Sequence, residues 1–206
     1  MGSMVLARTC ILAAVLLVAP LAQAAMLQIQ GEITSVIGAF SPAFAPGQTF
    51  TGFVVLTTAS ADFDPNANIG LYETTGGSIA LSFENGGFQE VDGAATPFTV
   101  QVNNVAPNKS LQLAAILNSG LTLELTFNGN SSFLGSDLFP TDPNAINTSG
   151  FLSGLGTLYD QDSVDLKGED GDRVNFSITG VTAVPEPSTY LLTGIGIIAI
   201  AWRRRR

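Results

Sequence analysis

Strict alternation of apolar and polar residues constrains this chain more than any other feature. In Leu121-Thr122-Leu123-Glu124-Leu125-Thr126-Phe127 every second side chain is apolar. Successive side chains of an extended chain point to opposite faces, so this period fits a half-buried strand and not a helix. The same pattern recurs at Ile79, Leu81 and Phe83, and again at Val174, Phe176 and Ile178. Leu27 and Ile29 followed by Ile33, Thr49 to Leu56, and Phe98 to Val102 are further candidates. Leu111 to Leu117 is ambiguous, because Ala114 and Ala115 are weak strand formers. Gly, Asn, Asp and Pro clusters punctuate these runs. Asn85-Gly86-Gly87 predicts one hairpin and Asn118-Ser119-Gly120 a second. Between the two chain ends this reading gives roughly eight to ten short strands and no helical periodicity. The expected fold class is therefore all-β and antiparallel. Long, unequal connections at 57–76 and 135–149 favour a jelly-roll-like β-sandwich over a barrel. All thirteen Phe lie in this middle part and are expected to fill the space between two sheets.

The two ends read differently. Residues 1–24 have the form of a secretory signal peptide: Arg8, an apolar run from Ile11 to Val18, Pro20, and a small-x-small cleavage site at Ala22-Gln23-Ala24. Cys10 lies before the apolar run, which does not suit a lipoprotein signal. At the other end, Val184-Pro185-Glu186-Pro187-Ser188-Thr189 precedes an apolar stretch from Leu191 to Ala201, which Tyr190 and Trp202 flank. Arg203, Arg204, Arg205 and Arg206 follow. Interfacial aromatics and a terminal arginine cluster predict a single C-terminal transmembrane helix with its arginines in the cytoplasm. As a helix, the 12 residues Leu191–Trp202 would cover only ~18 Å against an apolar core of ~30 Å. So short a span suits a temporary anchor in the inner membrane. The two prolines remove backbone donors and disfavour helix, which leaves the segment before the span extended and open to a protease.

This three-part tail resembles the PEP-CTERM sorting signal of Gram-negative bacteria, a segment also known as an ice-binding protein C-terminal domain. The resemblance covers residues 184–206. It implies recognition by an exosortase, a membrane protease-transpeptidase, with cleavage near Pro-Glu-Pro and release or transfer of the ectodomain. It also implies a setting of exopolysaccharide and biofilm. The middle part is similar to ectodomains seen with this tail, through Gly31 to Ser35, Gly52 to Val54 and Gly70-Leu71-Tyr72. The expected organisation is thus a signal peptide (1–24), a β-sandwich ectodomain (25–183) and a sorting signal (184–206). Ice binding does not follow from the name, since no regular Thr-x-Thr repeat is present.

Composition then narrows the chemistry. The chain has a formal net charge of -9. Five of its eight cations are Arg8 and the four terminal arginines. Between Ala25 and Ala183 only Lys109, Lys167 and Arg173 face sixteen acids, a net of -13. That span has no Cys, His or Trp. Disulfides, a thiol nucleophile, an imidazole base and a Cys/His zinc site are excluded there. Nucleic acid is not an expected partner, because nothing would neutralise its phosphates.

Two acidic groupings remain as candidate sites. Asp62, Asp64, Asn66 and Asn68 fall at positions 1, 3, 5 and 7 of a loop that ends in Glu73 at position 12, nearly the spacing of a calcium-binding EF-hand loop. The loop departs from that pattern at Pro65 and Ala67 and has strand-like flanks. The alternative is a solvated turn. The second grouping is Asp160, Asp162, Asp165, Glu169, Asp170 and Asp172, which reads as a solvated loop or a Ca2+ site. Neither supplies a catalytic constellation, so an enzyme is not expected. The expected function is a secreted or surface-anchored structural or adhesive protein, associated with extracellular matrix or exopolysaccharide and processed by exosortase. The alternatives are a calcium-dependent glycan-binding module and a polysaccharide hydrolase using paired carboxylates.

Overall fold

The computed structural model describes residues 24–40, 43–74, 76–84, 87–92, 96–141, 145–160 and 172–184. The transmembrane helix expected at 191–202 lies outside them, as do most of the signal peptide and the motif from Pro185 onward. Among the described residues no helix is long and apolar enough to cross a membrane.

Ten strands form: β1 (Ala25–Ile37), β2 (Thr49–Leu56), β3 (Ile69–Glu73), β4 (Gly77–Phe83), β5 (Gly87–Asp92), β6 (Thr99–Asn103), β7 (Lys109–Ile116), β8 (Thr122–Gly129), β9 (Phe151–Tyr159) and β10 (Arg173–Val184). Short 3-10 turns at Gly38–Phe40 and Thr148–Gly150 also lie among the described residues. The all-β, antiparallel expectation holds. Both predicted hairpins form, β4 with β5 and β7 with β8. Gly120 supplies the positive φ of 85° that the second turn needs. The ambiguous segment is strand β7. Its Ala115 is buried and its Ala114 exposed, so period-two burial outweighs the weak propensity of alanine.

The expected pair of sheets is replaced by one. All ten strands join a single antiparallel sheet in the order β3-β6-β7-β8-β9-β10-β1-β2-β4-β5. Burial follows the alternation: Leu27, Ile29 and Ile33 of β1 are inside, as are Leu123, Leu125 and Phe127 of β8. Among the described residues no helix covers that face, so a flat sheet made of them would leave it in water. The sheet instead curls into a half-barrel and encloses its own apolar side.

The curl depends on glycine opposite phenylalanine. A Cβ on Gly31 would sit 1.9 Å from the Ser177 carbonyl oxygen and 2.6 Å from Phe50 Cε1. On Gly156 it would sit 2.0 Å from Phe176 Cε2. The missing side chains let these rings lie against the backbone of the sheet. Phe50, Phe83 and Phe176 then meet one another at centroid distances of 4.9 to 5.8 Å. Phe44 joins from the loop after β1, 5.2 Å from Phe83. Seven phenylalanines (Phe44, Phe50, Phe83, Phe98, Phe127, Phe133 and Phe176) fill the core inside one curled sheet, whereas Phe53 and Phe63 are exposed, against the expectation for all thirteen. A Gly156→Val substitution should displace Phe176 and lower stability by roughly 3 kcal/mol or more, read as a shift in the urea midpoint of the ectodomain. An unshifted midpoint would show that the ring can move aside freely.

Candidate functional site

The Asp-rich loop folds back along the outer edge of β3. Ser60 N–H donates to the Glu73 carbonyl (2.8 Å) and Phe63 N–H to the Leu71 carbonyl (2.9 Å). This covers an edge strand that would otherwise be open to pairing. The side chains build the loop from within. Asp62 Oδ1 accepts from Asp64 N–H (2.9 Å), Asp64 Oδ1 from Asn66 N–H (2.8 Å), and Asn66 Oδ1 from Asn68 N–H (3.1 Å). Each is an Asx-type turn two residues long, which is why Asp and Asn recur at every second position. Asp62 Oδ1 also accepts from Leu71 N–H (2.8 Å), tying the loop to β3. These backbone donors, Leu71 first and Asp64 second, hold the Asp62 carboxyl below its ordinary value of 3.8. Glu73 stands at the end of β3, where its N–H donates to Ser60 Oγ (2.9 Å). Among the described residues no three His, Cys, Asp or Glu side chains group as metal ligands. The side-chain oxygens that suggested Ca2+ thus have a local structural use.

Of the second acidic grouping, Asp160 and Asp172 are described and Asp162, Asp165, Glu169 and Asp170 lie outside. Asp172 Oδ1 accepts from Ala39 N–H (2.8 Å), holding the turn that follows β1. Its carbonyl accepts from Asp160 N–H (3.2 Å). Asp172 therefore ties the starts of β10 and the end of β1 together.

The outward face carries a feature that the spacing motifs did not reveal. A groove of about 230 Å³ lies over β3, β6, β7 and β8, lined by Leu71, Thr99, Gln101, Gln112, Leu113, Ala114, Glu124, Leu125 and Thr126. Sheet register makes it: Leu71 pairs Gln101, Gln101 pairs Gln112, and Gln112 pairs Thr126. Glu124 accepts from the Tyr159 hydroxyl (3.0 Å). Burial, then this bond, push the Tyr159 phenol above its ordinary value. A polar ladder continues across the sheet, Thr157 Oγ1 to Asn175 Oδ1 (3.1 Å) and Asn175 Nδ2 to Ser35 Oγ (2.9 Å). The polar halves of the alternating strands were the available signal. Which of them share a row depends on register, and that is set across distant strands.

The described residues next to the two expected processing sites are brought together by the central strands. Ala24, the last residue of the expected signal peptide, immediately precedes β1, and Val184 is the last residue of β10. Met26 and Val184 are cross-strand partners. Ala22, Pro185, Glu186, Pro187, Ser188, Thr189 and the four terminal arginines lie outside the described residues.

Residues 183–206 match the PEP-CTERM protein-sorting motif. The motif implies export, transient membrane anchoring and sorting by an exosortase to the exterior or the cell surface. Searches of curated proteins and of solved structures return no match.

The Asp62 carboxylate makes a pH prediction. Its folded value is depressed, so its contribution is present above 3.8 and is lost as pH falls through the folded value. Asp62→Asn should melt below the wild type at neutral pH, and the gap should close as pH drops below 3.8. A gap of constant size across that range would show that the charge is immaterial.

Proposed function

We propose that this protein is an exported, exosortase-processed structural or adhesive component of the extracellular matrix, with no catalytic activity of its own. The observation that carries the reading is the sorting motif at 183–206 abutting a sheet that folds as one unit from Ala24 to Glu186. The acidic, Cys-free and His-free sheet supports a scaffold over an enzyme, because it offers no thiol nucleophile and no imidazole base for a Ser-His or Cys-His pair. The membrane segment acts as a temporary hold, and the arginines at 203–206 keep its end in the cytoplasm until the ectodomain is cut free. Fractionation with intact-mass analysis tests this. The mature form should be found outside the inner membrane, starting at Ala25 and lacking the arginine tail. Alanine at both Pro185 and Pro187 should leave the full-length tail in the inner membrane. Recovery of wild-type chain only with its tail intact, in that membrane, would reject processing.

The outward groove favours a second reading, a glycan-binding module. Gln101 and Gln112 can each donate and accept, Thr99 and Thr126 add hydroxyls, and Glu124 adds one acceptor. That set suits a neutral polyhydroxylated ligand. Hydrolysis by paired carboxylates would need a second acid facing the first, and Glu124 is the one carboxylate among the lining residues. A glycan array run with and without EDTA separates the readings. A groove ligand should bind equally in both and be lost in Gln101→Ala/Gln112→Ala. Loss with EDTA alone would favour calcium at the Asp62 loop, and no binding at all would leave the purely structural role.

A further inference from the structure

The end of β10 differs from the rest of the sheet. From Arg173 to Ile178 the strand is paired on both sides, with β9 and with β1. The last β9 partner is Gly154, opposite Ile178. Beyond it β10 continues for six residues, Thr179–Val184, paired with β1 alone. A register shift between Gln30 and Gly31 sets Thr179 apart as the extra residue of a bulge. Bulges twist a strand and end its pairing on one side. Among the described residues no strand pairs with the other edge of Thr179–Val184. Thr179 and Thr182 are exposed, and Gly180, Val181, Ala183 and Val184 are half-buried.

The terminal edge at β3 is closed off. The loop from Ala59 to Phe63 covers it. The free edge of β10 is different in its position: it runs directly into the sorting motif. The matched motif begins at Ala183, so its first two residues are the last two of the strand. Pro185 follows with no spacer. An extended peptide with unpaired N–H and C=O groups is what a partner recognises by adding a strand, and a strand already held by a neighbour loses little entropy on being recognised.

Resting on the processing reading above, we propose that the exosortase recognises more than the linear motif: it adds a strand to the free edge of Thr179–Val184, which β1 holds extended. The folded ectodomain thereby supplies the upstream half of its own cleavage substrate. Processing is then coupled to folding, because the edge is in place only once β10 has paired with β1. A chain whose first and last strands have not met would present the motif without its edge.

Inserting six Gly/Ser residues between Val184 and Pro185 tests this in cells that carry the exosortase. The insertion leaves the strand and the segment from Pro185 to Arg206 unchanged and separates them, splitting the matched motif after its first two residues. A pulse-chase should show tail removal slowed by about tenfold, the scale of a few lost backbone hydrogen bonds. Equal or faster removal overturns the edge, since a linear motif would gain access from a spacer. A second variant places a copy of Thr179–Val184 after the insertion. The copy restores the sequence but has no β1 partner, so the rate should stay low, and a wild-type rate overturns recognition of a held strand. Protease resistance of the secreted ectodomain, unchanged in both variants, verifies that the sheet is intact. A wild-type chain that is never cut would instead refute the processing reading itself.

Discussion

The pairing of β1 with β10 is the contact on which the rest of the structure depends. These strands stand in the middle of the sheet, each with a neighbour on its far side. Their partners are about as distant in sequence as the ectodomain allows, Met26 with Val184 and Ile37 with Arg173. Remove that pair and the sheet falls into two pieces: β2, β4 and β5 on one side, and β9, β8, β7, β6 and β3 on the other. Every other pairing except β3 with β6 joins strands consecutive in the chain or separated by a single strand, so those can form from local hairpins. The β1–β10 pair cannot, because it closes a loop of nearly the whole domain and needs the loop-closure entropy to be overcome first.

The aromatic core explains what repays that closure. Phe50 belongs to β2, Phe83 to β4 and Phe176 to β10, so the ring cluster spans the central seam. Gly31 of β1 lies under Phe50, and Gly156 of β9 under Phe176. Each ring therefore needs the backbone of a neighbouring strand, bare of a side chain, to lie against. The seam is apolar inside, hydrogen-bonded along its length and pinned at its far end by Asp172, whose carboxylate holds the turn after β1. Hydrophobic contact and backbone pairing act on the same strands, which makes the closure cooperative.

Much of this is legible from local sequence, and the division has a physical cause. Alternation sets which side chain is inside, and Gly120 marks a turn by its backbone requirement, so strands and hairpins can be read directly. Whether ten strands make two sheets or one curled sheet depends on partners far apart in the chain. The glycines that permit curling carry no periodic signal; Gly31 and Gly156 look like ordinary breakers until the rings above them are seen. The Asp62 loop shows the opposite problem. Its two-residue period fits calcium ligands and also fits successive Asx turns, since both place an oxygen at every second residue. Spacing alone cannot separate the two, and the hydrogen bonds from Asp64, Asn66, Asn68 and Leu71 amides show the second use. The outward groove was hidden for the same reason as the sheet order: Gln101, Gln112 and Thr126 are neighbours only through register.

The central seam also fits the way the chain is delivered. The expected signal peptide and the expected C-terminal anchor would each keep one end of the exported segment at the same membrane surface. A fold whose first and last residues emerged at opposite ends would have to finish after one tether was cut. Here the antiparallel seam puts Met26 beside Val184, so both tethered ends leave the same end of the sheet. A domain held at both ends could close through this seam, because the residues next to both expected processing sites belong to or adjoin β1 and β10. This arrangement asks for an even path through the seam. A parallel β1–β10 pair would carry Val184 to the opposite end, roughly 40 Å away for strands of this length. The direction of one strand pair thus connects the alternating sequence, the curled sheet and the placing of Met26 beside Val184.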